Sequence, residues 1–345
     1  MTVNLRDLSR TIAEFAFLTA LVCNSLLIYL TARRTKNITG AYKYMIILFA
    51  LLGLIFSCTE MLARPFVHNF NASFVYFSLS NDLSEFKSLV QMLLVLYSGL
   101  YSSLISFVAV QFIYRYMVLV NANLLESWFT GWKLVFWVFY VIFFGFAWSA
   151  SVYFCLFPDT YSYNYIRTEF KDVYNIGVDR VAIFILVAYE KHPSSEEYKL
   201  RPASVIMIAG TISILVIQYS IMLFCGASMH RQMNEKLKNF SPDNQRLQKQ
   251  FFKTLLLQIS VPTVLFHMPI FPVLLGPFFN FEISAESGII YSLFSLYPPI
   301  DGLIIMTVVT DYRIALTELF LGSHSGAQVE VIPVEVVSIL NFSLL

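Results

Sequence analysis

Long apolar runs separated by short polar connections are the dominant pattern in this chain. The runs fall at about 11–31, 44–63, 89–119, 133–156, 202–225, 253–276 and 284–309. At about 1.5 Å per residue, roughly 20 apolar residues carry a helix across a hydrocarbon core about 30 Å thick. The pattern therefore predicts an all-α membrane protein, a seven-helix bundle over 1–321 with a tail at 322–345. Arg33-Arg34, rather than a small-residue cleavage site, follows the first run, so that run reads as a retained span and not a signal peptide. Pro65 has no amide donor and stops the second run. The connections 65–88 and 157–201 read as hydrophilic loops. Residues 312–321 read as a short amphipathic helix, with Ile314, Leu316, Leu319 and Phe320 laid on the membrane.

The distribution of Lys and Arg in the short connections predicts which way the bundle points. The connection after span one carries Arg33, Arg34, Lys36 and Lys43 without an acid, and that after span five carries six basic residues against Glu235 and Asp243. The connection after span six has neither Lys nor Arg, and that after span two has Lys87, with Arg64 at its edge. In the long stretch after span four, six basic residues are balanced by seven acidic ones. The expectation is an amino terminus outside and a carboxyl terminus in the cytosol, in a multi-pass plasma-membrane protein. Of four Asn-x-Ser/Thr sequons, Asn37, Asn239 and Asn341 would then be cytosolic, leaving Asn71 as the candidate glycan acceptor.

Composition agrees: 57% of the 345 residues are hydrophobic and 13% charged, against about 25% in soluble domains. A net charge of +1 and the lack of a basic block argue against nucleic acid as a partner. Cys23, Cys58, Cys155 and Cys225 lie far apart with no CxxC pair, so a bound metal, and with it any metal cofactor, is not expected. No span carries paired Asp, Ser with His, or HExxH, which argues against an enzyme.

Gln111-Phe112-Ile113-Tyr114-Arg115-Tyr116 closes span three, and Tyr97 to Arg115 covers roughly 27 Å, so the arginine falls at one lipid boundary. The residue before the arginine is Tyr114 and not an acid, so restraint of the arginine falls to another group, with Gln111 and Asp301 as candidates. Span two opens with Gly40-Ala41-Tyr42-Lys43-Tyr44-Met45-Ile46 and closes with Arg64-Pro65-Phe66-Val67-His68. Leu247-Gln248-Lys249-Gln250-Phe251-Phe252 leads into span six, and Tyr297-Pro298-Pro299-Ile300-Asp301 precedes Asp311-Tyr312-Arg313 at the end of span seven. Together, from about 20 to 320, these motifs resemble the Str class of nematode serpentine chemoreceptors, olfactory-type G-protein-coupled receptors. The resemblance implies an odorant ligand, a heterotrimeric G-protein partner and a sensory cilium. Two departures stand out: Asp301-Gly302 replaces the usual Asp-Pro, and no cysteine marks the outer end of span three, excluding a disulfide to the second outer loop.

A receptor needs helices with two arrangements of similar energy. Pro262, Pro269 and Pro272 in span six, and Pro298 and Pro299 in span seven, remove backbone donors and predict hinges. Asp301, some 12 Å inside the membrane, reads as part of a polar switch, and Glu60 as paired locally with Arg64. Tyr97, Tyr101, Met207, Thr211, Phe266, His267 and Tyr291 are the candidate ligand pocket, suited to a small, mostly apolar molecule. The coupling set is Gln111, Tyr114, Arg115, Tyr116, Pro262, Pro298, Pro299, Asp301, Tyr312 and Arg313. The alternatives are an odorant-gated channel subunit, which would carry its amino terminus inside, and a transporter, which would show internal repeats.

Overall fold

The computed structural model describes residues 4–35, 38, 40–80, 84–120, 122–191, 198–279 and 281–321. The tail 322–345 and the sequons at Asn37 and Asn341 lie outside these. Seven helical segments long and apolar enough to cross a membrane span Leu5–Arg33, Ala41–Ala63, Lys87–Val120, Gly131–Leu156, Pro202–Lys236, Pro242–Phe279 and Gly288–Val308. The predicted seven-helix bundle is present; spans one, three and six extend past their apolar runs at both ends because flanking polar residues continue the helix, whereas span seven, Gly288–Val308, is shorter than the expected 284–309.

The first three spans are α1 (Leu5–Arg33), α2 (Ala41–Ala63) and α3 (Lys87–Val120), followed by the short α4 (Ala122–Trp128). Span four is α5 (Leu134–Leu156), α6 (Thr160–Tyr174) lies in the connection, and span five is α7 (Pro202–Lys236). Span six comprises α8 (Pro242–Pro262), a π turn at Thr263–His267 and α9 (Met268–Leu275). Span seven comprises α10 (Gly288–Tyr291), a 3₁₀ turn at Ser292–Leu296 and α11 (Tyr297–Val308), and α12 (Thr310–Leu321) closes the described chain. Helix α3 runs through the centre, with Leu94, Tyr97, Leu104, Ala109 and Phe112 buried. It approaches α5 through glycine: a Cβ on Gly99 would lie 2.7 Å from the Gly145 carbonyl oxygen. In lipid, where apolar side chains gain little from leaving their surroundings, such close backbone contact holds helices together.

The connections depart from the expected polar loops. Strands β1 (Pro65–Phe70) and β2 (Ser73–Ser78) form a hairpin turned at Asn71, whose φ of 46° is left-handed, as asparagine tolerates. Strand β2 pairs with β3 (Ile183–Val187) from the connection after span four. Strand β1 pairs with β6 (Ser284–Ala285) from the connection after span six, giving the antiparallel order β3-β2-β1-β6. The pair β4 (Tyr189–Lys191) and β5 (Tyr198–Leu200) stands beside it. Residues 66–77 and 182–187 are rich in Phe, Val, Ile and Tyr, so the signal for strands was in the sequence. The amphipathic α6 packs on the sheet through Ile166, Phe170 and Tyr174, which recur every four residues, and starts at an Asp159–Ser162 capping box.

This layer covers the end of the bundle that carries the amino terminus, here the amino-terminal face. It is tied down by Tyr76 Oη donating to the Leu94 carbonyl (3.0 Å) and Asn69 Nδ2 to that of Val273 (2.7 Å). Phe66 fills the place of the missing side chain at Gly288, where a Cβ would fall 2.1 Å from the ring. Three connections are thus joined by main-chain hydrogen bonds while all four cysteines are free.

Candidate functional site

At the opposite, carboxyl-terminal face, the guanidinium of Arg115 is buried, with 5% of the residue exposed. Its Cζ lies 3.3 Å from the ring centroid of Tyr42 and 3.7 Å from that of Phe251, in the corner made by two rings packed edge to face. Nη1 donates to Gln248 Oε1 at 3.1 Å, whereas Nε and Nη2 have no hydrogen-bond partner among the described residues. Tyr42 opens α2, Arg115 lies near the end of α3, and Gln248 and Phe251 belong to α8. The arginine therefore clips three spans together without a carboxylate. Neither expected partner fills this role: Gln111 Nε2 is itself unpartnered, and Asp301 binds elsewhere. Tyr114 stacks on Tyr42 and meets Phe129 edge on, and Tyr116 turns toward Phe224.

Asp301 is buried between spans six and seven, where Oδ2 accepts from Gln258 Nε2 at 3.0 Å and Oδ1 has no partner among the described residues. One turn toward the amino-terminal face, Asn24 of α1 donates to the Pro298 carbonyl at 3.4 Å. Its side chain also fills the gaps left by Gly53 of α2 and Gly302 of α11. Pro298 and Pro299 stand in the first turn of α11, where missing amide donors are tolerated, and the preceding 3₁₀ turn absorbs the irregularity. Tyr312 is fully buried with its hydroxyl 2.7 Å from that of Thr31, and Arg313 donates to Thr310, which also receives Gln250. These contacts seat α12 against α1 and α8; of the four residues expected on the membrane, Ile314 and Phe320 are exposed, whereas Leu316 and Leu319 pack partly buried against the core.

Pro262 precedes the π turn of span six, and the wider backbone ring there aims two side chains inward. Tyr219 Oη meets Thr263 Oγ1 at 2.6 Å and His267 Nδ1 at 3.1 Å, while Tyr101 Oη meets His267 Nε2 at 2.8 Å. Spans three, five and six are joined through this imidazole.

The seven residues expected to line a ligand pocket are brought together but closely packed. Tyr101 stands edge on to Phe294, Phe266 packs against Phe294 and Tyr297, and Tyr291 contacts Tyr76 and Tyr97. Met207 and Thr211 are buried along α7. Space beside His267 amounts to about 10 Å³. A much larger cavity, about 470 Å³, lies instead between α1, the end of α2, span seven and the sheet layer of the amino-terminal face. None of the seven lines it. At its floor Glu60 Oε1 accepts from Ser295 Oγ (2.6 Å) and Tyr97 Oη (3.2 Å), so Glu60 links spans two, three and seven where a local pair with Arg64 was expected. Arg64 instead caps α2 in a left-handed conformation.

The geometry is that of a bundle with a cavity at one face and a buried arginine clip at the other, and comparison with known proteins gives its family. The profile of the serpentine type 7TM GPCR chemoreceptor Str family matches residues 9–317. The chain is a Str-family serpentine receptor. Among its relatives, serpentine receptor class r-10 of Caenorhabditis elegans is 27% identical over 91% of each chain. The G-protein coupled receptor str-217 of the same nematode is 24% identical over 91% of this chain and 90% of its own. Families of this kind are receptors rather than enzymes, and the seven spans make this receptor a multi-pass membrane protein. The sequence motifs pointed to Arg115 and Asp301 and contained Tyr42, Gln248 and Phe251 without joining them to Arg115, and Asn24 and Ser295 lay outside them. Each of these stands far along the chain from the group it touches, and no spacing rule links residues on different helices.

Proposed function

We propose that this receptor binds a small molecule, an odorant in the broad sense, from the extracellular side and activates a heterotrimeric G protein at its cytosolic face. In that arrangement the amino-terminal face with Asn71 is outside, and the Arg115 clip, α12 and the basic connection before α8 are inside. The observation that carries the reading is the state of Arg115. A buried guanidinium with two nitrogens that have no hydrogen-bond partner among the described residues is costly in a low-dielectric interior and is held by aromatic faces on separate helices. Outward movement of α8 frees it for water or a partner's carbonyl groups, so the resting bundle holds a cation that gains partners on opening. Pro262 and the π turn supply the hinge, and the Asp301–Gln258 bond spans the same helix pair. A set of coupling residues follows: Arg115 with Tyr114 and Tyr116, Gln111, Pro262, Pro298, Pro299 and Asp301, with Tyr312 and Arg313 anchoring α12.

Expression of the full chain in cells with a calcium or cyclic-nucleotide readout tests this against a panel of volatile and water-soluble compounds. A ligand-dependent signal that Arg115→Ala reduces at least tenfold at equal surface expression is expected. An amino-terminal tag that stains only after permeabilisation, or currents that persist without any G protein, would instead favour a channel. A sensory cilium in chemosensory neurons is the site this reading implies.

A further inference from the structure

The large cavity has a chemistry of its own. Its floor is Glu60, 5% exposed, whose two hydrogen bonds both end on Oε1, and Ser9 and Ser292, whose hydroxyls meet at 2.5 Å, continue the polar surface. Cations line the wall. Arg6 is 3.4 Å from Glu286 and Arg10 is 2.7 Å from Glu14. Lys87 differs, because it donates to the neutral carbonyl of Asp179 (2.8 Å) and the hydroxyl of Tyr163 (3.4 Å). Among the described residues neither Lys87 nor its neighbour across that contact, Arg180, forms a charge pair. One cavity thus presents a carboxylate floor and, on a wall formed by the start of α3 and the segment before β3, two cations with no acidic partner among the described residues.

We propose that this cavity binds a small zwitterion of the amino-acid class, its ammonium on Glu60 and its carboxylate at Lys87 and Arg180. The proposal rests on the receptor reading only in taking the cavity as the ligand site. A neutral apolar ligand would strip water from three charged groups and return no hydrogen bonds. An amine alone leaves the two cations unanswered, and a carboxylic acid alone leaves Glu60. The volume of about 470 Å³ falls within the roughly 300–1,000 Å³ usual for small-molecule sites. Occupancy also has a route inward: an ammonium on Glu60 competes with Ser295 and Tyr97, and so acts on the 3₁₀ turn of span seven and on α3.

The test uses the purified full chain in lipid-containing detergent. The probes are the free amino acids, each beside the amine left by removing its carboxyl group and the acid left by removing its amino group. Binding is read by thermal stabilisation and by competition. At least one amino acid should bind saturably and at least tenfold more tightly than either counterpart. Glu60→Gln should abolish the preference for the amino acid over the acid, and a Lys87→Gln, Arg180→Gln double variant the preference over the amine. Binding of no amino acid, equal binding of a counterpart, or unchanged preference in both variants overturns the proposal. If a variant fails to give a melting transition, the ranking in the unaltered receptor decides alone. A cellular response to a neutral volatile with no amino-acid binding removes the ligand class and leaves the receptor reading. Amino-acid binding with no second-messenger response does the opposite.

Discussion

Arg115 shows how a cation at a helix end is restrained when no acid stands beside it. Each ring against a desolvated guanidinium contributes about 2 kcal/mol, comparable to a charge-assisted hydrogen bond but easier to release, because rings slide. Truncating either ring should therefore bias the bundle toward the open state. Tyr42→Ala or Phe251→Ala is expected to raise ligand-independent signalling roughly 5- to 30-fold, the span that 1–2 kcal/mol allows; unchanged basal second-messenger levels at matched surface expression would count against the clip. A second residue-scale prediction concerns His68 in β1, 2% exposed, bonded to Tyr174 Oη at Nδ1 and 3.4 Å from Glu169 at Nε2. Burial pushes its pKa below the ordinary value near 6.5, and Glu169 only partly opposes this. The unfolded segment then binds the proton more readily than the folded one. Stability is whole above about pH 6.5 and falls as the pH drops below it toward the lowered folded value. Hydrogen exchange in β1 and α6 should accelerate on acidification from pH 7 to pH 5, and His68→Gln should flatten that dependence.

At the scale of elements, span six is one apolar run made of three different backbones, an α-helix, a π turn and a second α-helix. Pro262 supplies no amide for the Gln258 carbonyl, and the turn after it places Thr263 and His267 against Tyr219 and Tyr101. Replacing Pro262 by alanine restores a donor worth up to about 3 kcal/mol to a regular helix and favours straightening. The expected result is a maximal response reduced severalfold with ligand affinity retained, since Pro262 does not line the cavity of the amino-terminal face; a loss of affinity with full response would refute the hinge.

Across the whole molecule, the layer over the amino-terminal face holds through strand pairing among three connections, with Phe66 seated on Gly288 and α6 packed on the sheet. A disulfide normally fixes such a loop by limiting the unfolded chain. Here main-chain hydrogen bonds and aromatic packing do so. Reducing agent should leave both the melting midpoint and ligand binding of the purified receptor unchanged; a midpoint lowered by several degrees would show that cysteines stabilise the fold after all. Seven spans, the end of span two before Pro65 and a backbone irregularity at Pro262 were legible in the chain because membrane thickness and missing amide donors act locally. Parts of the loops read as polar proved to be strands: the runs of Phe, Val and Ile that signal them were present but short beside the spans. The aromatic residues read as a pocket are packed on one another, and the open space lies over Glu60. Identity along the chain settles how much apolar surface each segment carries and where its backbone lacks a donor. Which side chains from different helices meet, and where room is left between them, depends on how the helices rotate and cross, and only the folded bundle decides that.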